Sequence, residues 1–314
     1  MRTITIDDKL QPQPPCVATI GFFDGVHRGH AFLIGNIVDE ARRLGIEATV
    51  ITFSEHPRKV LHDTYQPRML TTGEEKRRLM AATGIDCCAV LPFDRAMAAM
   101  TARDFIIGVL HDRLNVRILY IGYDNRFGHN RDEDFDDYVR YGRECGISVR
   151  HVGVFTTEGD RPVISSSVIR RLIAAGDVGE AAECLGYPYF MTGTVVAGVR
   201  KGRTIGFPTA NMRPADADKI VPAPGVYAVR VTLQGETEPR RGMMNIGRRP
   251  TFDNGAMTME INIFDFDGDI YGRSIDVAFV GKLRDEHRFA SAGELARQLT
   301  EDRKAAWRLL EKEK

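Results

Sequence analysis

Two histidines three residues apart, His27 and His30, follow an apolar run from Val17 to Phe23 and an Asp24-Gly25 pair. The run reads as a buried strand, and Asp-Gly turns the backbone sharply. Beyond it Ala31, Leu33, Ile34, Ile37, Val38, Ala41 and Leu44 recur at helical spacing. A strand, a tight turn and a helix start make an anion site. The free N–H groups and dipole of a first helical turn favour phosphate by about 0.3–1 kcal/mol when exposed. His27 and His30 lie about one turn apart, so both can face one ligand, and Gly29 admits close approach of backbone or nucleotide. Histidines at this spacing also occur as surface residues or as half of a zinc site. The glutamate and second spacing of His-Glu-x-x-His are missing, however, and the strand and turn in front favour phosphate.

Three further groups could do chemistry. Ser165, Ser166 and Ser167 precede an apolar helical stretch, where hydroxyls cap N–H groups or contact phosphate, and Arg170 follows on the same helical face. Gly193 to Asn211 is glycine-rich and basic but is not a Walker A loop: only three residues separate Gly198 from Gly202, and no helix follows. Glu260 and Asn262 share one strand face, opposite Ile261 and Ile263. A carboxylate on that face, were it to line a barrel mouth, could accept a proton from a primary alcohol; otherwise Glu260 points to solvent.

The elements that must carry these groups fall into two kinds. Up to about residue 185, near-continuous apolar runs (Ala48–Phe53, Cys87–Leu91, Ile118–Ile121, Val149–Val154) alternate with helical patterns opening at Thr72, Thr101 and Phe135. That texture predicts a parallel sheet covered on both faces, with ligands beyond the carboxyl ends of its strands. Phe22–His30, Thr52–Pro57 and Gly122–Arg131 then share one rim. Past Tyr187-Pro188-Tyr189 strand follows strand: Thr192–Val199, Val226–Leu233, Arg241–Ile246, Thr258–Phe264 and Ile275–Val280, with turn residues between. An antiparallel barrel is the natural packing. A final helix opens at Ser291 with a capping box to Glu294 and carries Leu295, Leu299, Ala306, Trp307 and Leu310 on one face. The expected domains are residues 1–185 and 186–314.

Composition narrows the function classes. Lys+Arg and Asp+Glu are equal at 43 each, so no general field draws the chain to nucleic acid or anionic lipid, and phosphate recognition must be local. No apolar run approaches the roughly 20 residues that span a bilayer, and no secretory leader pattern opens the chain. The five cysteines have no metal spacing, which suits reduced thiols in a cytoplasmic protein.

Gly21-Phe22-Phe23-Asp24-Gly25-Val26-His27-Arg28-Gly29-His30 resembles the signature of the His-x-Gly-His nucleotidyltransferases, and more narrowly the amino-terminal signature of bacterial bifunctional riboflavin kinase/FAD synthetases. Thr52-Phe53-Ser54-Glu55-His56-Pro57 is similar to that family's Thr-Phe-x-x-His-Pro. Gly122 to Gly128 resembles its Gly-x-Asp-Phe-x-Phe-Gly loop, with Asn125 where an aromatic is usual. Ile164 to Arg170 resembles Ile-Ser-Ser-Thr-x-Ile-Arg, with Ser167 for threonine. In the second half, Phe207-Pro208-Thr209-Ala210-Asn211 resembles the kinase motif Pro-Thr-Ala-Asn. Gly242 to Phe252, Glu260 to Gly272 and Leu283 to Phe289 match later segments in order, with Asn262 for a common histidine.

The resemblance implies an α/β Rossmann-like nucleotidyltransferase domain followed by an antiparallel β-barrel riboflavin kinase domain with a C-terminal helix. It further implies riboflavin, FMN and ATP as substrates, FAD as product, and no nucleic-acid or membrane partner. In the first domain it places ATP against Gly21, Phe22, Asp24, Gly29, Ser166 and Ser167, with His27, His30 and Arg170 stabilising charge on the triphosphate. In the second it places ATP against Gly198, Lys201, Gly202, Arg203, Gly206 and Pro208. Thr209 and Asn211 would hold Mg²⁺, whose preference for hard oxygen donors they suit, and Glu260 would be the base. Flavin contacts fall on His56, Asp124, Asn125, Arg284 and Phe289. The alternatives are a single-activity nucleotidyltransferase with an attached flavin-binding barrel, a binding module with degenerate sites, and a metal scaffold on His27 and His30.

Overall fold

The structure is a computed structural model that describes residues 1–7, 9–61, 68–122, 127–128, 133–153, 155, 164–197, 206–248 and 257–312. Asp124, Asn125, Gly198, Lys201, Gly202 and Arg203 lie outside the described residues, as do Val154, Val199 and Arg249–Phe252. The chain divides into two compact units, 1–67 with 73–165, and 68–72 with 166–314.

The first unit is built on a six-stranded parallel sheet. Its strands are β1 (Arg2–Thr5), β2 (Cys16–Ile20), β3 (Glu47–Phe53), β4 (Cys87–Leu91), β5 (Val116–Ile121) and β6 (Ser148–His151), in the order β1-β4-β3-β2-β5-β6. Every residue of β2 is buried, because helices cover both faces. Val17 packs with Leu33, Ile34, Ile37 and Val38 of α1 (Arg28–Leu44). Cys16, Ala18 and Ile20 face the opposite layer, which contains Phe105, Ile106, Leu110 and Tyr138. Short helices α2 (Pro57–Leu61), α4 (Arg95–Ala98) and α5 (Ala102–Asp104), with the longer α3 (Gly73–Ala81) and α6 (Phe135–Cys145), complete the layers. The stretch after Thr101 departs from the expected regular helix: Phe105–His111 is wound as a π-helix. Burial pushes the Cys16 thiol up to about 12 and Cys87 up to about 11, so both are inert core residues.

The second unit begins with α7 (Ser166–Ala175) and α8 (Val178–Leu185). A closed barrel follows, made of β7 (Phe190–Val196), β8 (Ala210–Pro214), β9 (Gly225–Leu233), β10 (Arg240–Arg248), β11 (Met257–Ile263) and β12 (Ser274–Arg284), in the order β10-β11-β8-β7-β12-β9. All barrel pairings are antiparallel. The sequence did not signal β8, which starts at the last two residues of the Pro-Thr-Ala-Asn motif, yet it closes the ring. Residues 68–72 join this unit through Lys219, buried at 2% exposure, whose Nζ donates to the Leu70 carbonyl at 2.7 Å.

Helix α9 (Ala292–Lys312) lies on the outer wall, packing Ala306 and Leu310 with Ala228, Met243, Phe264 and Val280. One half of the expected capping box forms, with the Glu294 N–H donating to Ser291 Oγ, while the Glu294 carboxylate accepts from the N–H of Ala290, one residue before the cap. A buried ion pair ties α9 to β12: Arg284 donates to Asp302 from Nε at 2.9 Å and from a terminal nitrogen at 2.8 Å. Asp302 is 3% exposed, and removing it would strand a largely buried guanidinium. Asp302→Ala is expected to destabilise the barrel unit by about 3 kcal/mol. Thermal unfolding followed by the fluorescence of Trp307, the single tryptophan and an α9 residue, measures it.

Candidate functional site

The first site is the turn between β2 and α1. Phe23 (φ 54°) and Val26 (φ 36°) both have positive φ without being glycine, and Gly25 (φ 79°) lies between them. Such conformations cost roughly 1–3 kcal/mol each and persist where the surroundings over-determine them. Phe23, Asp24 and Val26 are all buried here. His27 is the N-cap of α1: its Nδ1 accepts the His30 N–H at 3.3 Å, which places the ring proton on Nε2. The two imidazoles are stacked, centroids 3.6 Å apart and 18° from parallel. A Cβ at Gly29 would come within 3.3 Å of the His27 ring, so that ring is what glycine admits here. His30 packs edge-on against Phe23, and its buried Nδ1 has no hydrogen-bond partner among the described residues. Burial first, then the neighbouring His27 and Lys76, hold the His30 imidazole well below its usual range. It is therefore neutral at physiological pH, a hydrogen-bonding group rather than a cation.

Neighbouring strand ends reach this turn. Thr52, at the end of β3, donates from Oγ1 to the Phe22 carbonyl at 3.2 Å. The His56 ring meets Phe22 edge-on at 4.7 Å, so one expected flavin contact and one expected nucleotide contact touch. Sequence reasoning passed over Lys76 of α3, which is buried here. Its Nζ donates to the Phe22 carbonyl at 3.1 Å and to Thr52 Oγ1 at 3.2 Å, and lies 4.2 Å from the centre of the Phe22 ring. Of the other residues read for nucleotide binding, Gly21 lies against the Phe23 ring. Ser166, Ser167 and Arg170 stand in the first turns of α7, in the second unit.

The second site is a row of polar side chains across the barrel wall. Registers pair Val196 with Asn211, Asn211 with Glu260, Glu260 with Asn245, Asn245 with Val226, and Val226 with Arg284. Directly opposed residues of antiparallel strands share a face, with Cβ atoms about 4.5–5.5 Å apart. Asn211, Glu260 and Asn245 therefore form one continuous amide–carboxylate–amide row, all three half-buried. The row does not line the barrel interior. Its face is that of Met243 and Ala228, the outer one on which α9 packs, while Tyr227, Met244 and Ile261 fill the inside. Alternation along the strands decides this: among the described residues large apolar and aromatic side chains fill the interior, so the carboxylate takes the other face.

Asn262 lies on that outer face next to Met243, at 6% exposure, and its Nδ2 donates to the Pro208 carbonyl at 2.7 Å. That bond ties the segment bearing Thr209 to the strand bearing Glu260. Gly206 (φ 80°) turns the chain into the segment. Arg284, read as a flavin contact, commits its guanidinium to Asp302 and lies 5.6 Å from the centre of the Phe289 ring. Glu286 lies against Gly247, where any Cβ would collide with it.

Fold and sites define the class: a Rossmann-like α/β unit with a histidine-capped helix start, followed by a closed barrel bearing an amide–carboxylate–amide outer row. Comparison with known proteins agrees. The FAD synthetase family model matches residues 9–168 and the riboflavin kinase family model residues 185–310. The bifunctional riboflavin kinase/FMN adenylyltransferase of Escherichia coli (strain K12) is 40% identical over 93% of this chain and 91% of its own length. The Bacillus subtilis (strain 168) enzyme of the same name is 34% identical over 95% and 93%. A crystal structure described as a macrolide-efflux protein from Streptococcus pneumoniae superposes with a TM-score of 0.86 at 32% identity, covering 97% of this chain and 98% of that one. The chain belongs to the bifunctional riboflavin kinase/FMN adenylyltransferase family. Among the described residues no helix is long and apolar enough to cross a membrane.

Proposed function

We infer that the chain phosphorylates riboflavin to FMN with ATP and then adenylylates FMN to FAD with a second ATP. The first step is assigned to residues 186–314 and the second to residues 1–185. The observation that carries the reading is the cross-strand pair of Glu260 and Asn211, a carboxylate base beside an amide, in a barrel attached to a unit with a histidine-capped phosphate site. Whole-chain relatives named for both activities favour it over a single-activity nucleotidyltransferase.

In the kinase step Glu260 takes the proton of the riboflavin 5′-hydroxyl as that oxygen bonds to the γ-phosphorus, and the bond to the β,γ-bridging oxygen breaks to release ADP. Such transfer depends mostly on alignment and charge neutralisation. Thr209 and Asn211 would hold Mg²⁺. A half-buried hydroxyl and amide beside a carboxylate are the hard oxygen donors this ion takes, and it would neutralise charge on the transferring phosphate. In the second step an FMN phosphate oxygen, already ionised, bonds to the α-phosphorus and pyrophosphate leaves, so no strong base is needed. His27 and His30 are assigned to the triphosphate. Ser166, Ser167 and Arg170 receive the same role from the motif they match. Five free thiols and ATP as substrate support a cytoplasmic site of action.

Incubating the pure chain with riboflavin, ATP and Mg²⁺ and resolving the flavins by chromatography tests the reading. FMN is expected first and FAD after it; FAD from supplied FMN with no FMN from riboflavin would favour the single-activity alternative. A finer expectation concerns Asn262. Asn262→Ala frees the Pro208 carbonyl, a bond contributing about 1 kcal/mol. It is expected to raise the KM for ATP in riboflavin phosphorylation severalfold while leaving FMN adenylylation unchanged.

A further inference from the structure

Lys76 is only 7% exposed and lies beneath the turn that opens α1, where neither phosphoryl nor adenylyl transfer calls on its charge directly. Its ammonium meets the Phe22 carbonyl at 3.1 Å, the Thr52 hydroxyl at 3.2 Å and the Phe53 carbonyl at 3.5 Å. It also lies over the face of the Phe22 ring at 4.2 Å, close enough for a cation–π contact. The residues it holds are the end of β3 and Phe22, just beyond β2, and the backbone after Phe22 adopts the positive φ values of Phe23, Gly25 and Val26. A buried lysine is expensive to desolvate, and a stem-and-ammonium joint between the end of β3 and the turn after β2 is what justifies one here.

We propose that Lys76 is a positioning residue for adenylyl transfer: by gripping Phe22 and Thr52 it holds the turn from which α1 presents His27 and His30. This rests on the assignment of adenylyl transfer to the α/β unit. The residue touches neither imidazole in a hydrogen bond; it acts through the backbone that carries them. Its charge has a second effect, since it helps keep His30 neutral.

Four titratable or charged groups face the ammonium: Asp24 on the turn, His30 on α1, Cys88 on β4 and Arg77 on α3 itself. Burial pushes Lys76 down to about 8, against the pull of Asp24. Protonated below that value, it grips both carbonyls. Above it the lysine is neutral and the grip weakens, so kcat/KM for FMN adenylylation, which reports the free enzyme, is expected to fall above pH 8 or so. His30 titrates on the acid side and Cys88 is pushed up by burial, so neither produces that limb.

The test compares the wild-type chain with Lys76→Met and Lys76→Arg, measuring pyrophosphate release with supplied FMN across pH, and riboflavin phosphorylation in the same preparations. Lys76→Met is expected to lower kcat/KM for adenylylation on the order of 100-fold, the scale of a misplaced reacting group, with riboflavin phosphorylation unchanged. Lys76→Arg, whose charge persists to high pH, is expected to restore most of the rate and to carry the alkaline limb upward. A wild-type rate in Lys76→Met overturns the proposal, as does an alkaline limb that stays in place in Lys76→Arg, whether or not Lys76→Met folds. Absence of adenylylation in the wild-type chain would instead overturn the functional reading on which the proposal rests.

Discussion

Glu260→Gln is expected to slow riboflavin phosphorylation by about 100–10,000-fold, the range for loss of a positioned general base, with FMN adenylylation unchanged. Glutamine keeps the size of the side chain and its place between Asn211 and Asn245 in the wall. What it loses is the ability to take up a proton while the 5′-hydroxyl bonds to phosphorus. The row stands on the outer face, away from the apolar filling of Tyr227, Met244 and Ile261, so an isosteric change there leaves the barrel's packing alone. FMN formed per unit time, resolved from riboflavin by chromatography, measures the effect. An undiminished rate would remove Glu260 from the base role.

The second large effect is expected at the helix mouth. His30→Ala removes a preorganised neutral donor at the α1 N-terminus, a loss that typically costs about 100–1000-fold in rate. Pyrophosphate released from ATP with FMN supplied reads it, and riboflavin phosphorylation by the same preparation serves as the folding control. His27 is the less clean target, because its Nδ1 also caps α1 and its removal loosens the helix start. Should His30→Ala make FAD at the wild-type rate, the stacked pair would be structural.

Much of this was legible in the chain. The expected Phe135–Cys145 and the expected α1 coincide with helices of the structure, since amphipathic period and capping residues are local signals. Fully apolar runs announced a sheet covered on both faces for the same reason. β1 and β8 escaped because each is short and half polar, and each becomes a strand only where a partner offers its edge: Arg2 opposite Cys87, Asn211 opposite Glu260.

The candidate residues divide along the same line. Residue types and spacing sufficed to single out His27 and His30 behind their strand and turn, whereas the roles expected of Glu260 and of the Thr209–Asn211 pair came from the family motifs they match. Lys76 stands in the run Glu74-Glu75-Lys76-Arg77-Arg78, which reads as a solvated face, and no local pattern distinguishes the one lysine that turns inward. Asn262 likewise looked like a missing histidine until its amide was found on the Pro208 carbonyl.

What the sequence determined by itself was the kind of elements, their order and the chemical groups on offer, all of which depend on neighbours a few positions away. What only the tertiary structure decided was which wall face the Glu260 row occupies, which backbone carbonyls the buried Lys76 and Asn262 hold, and which ring Gly29 accommodates. Those outcomes turn on strand register, on which face of the barrel the apolar side chains fill, and on approaches between residues distant in sequence.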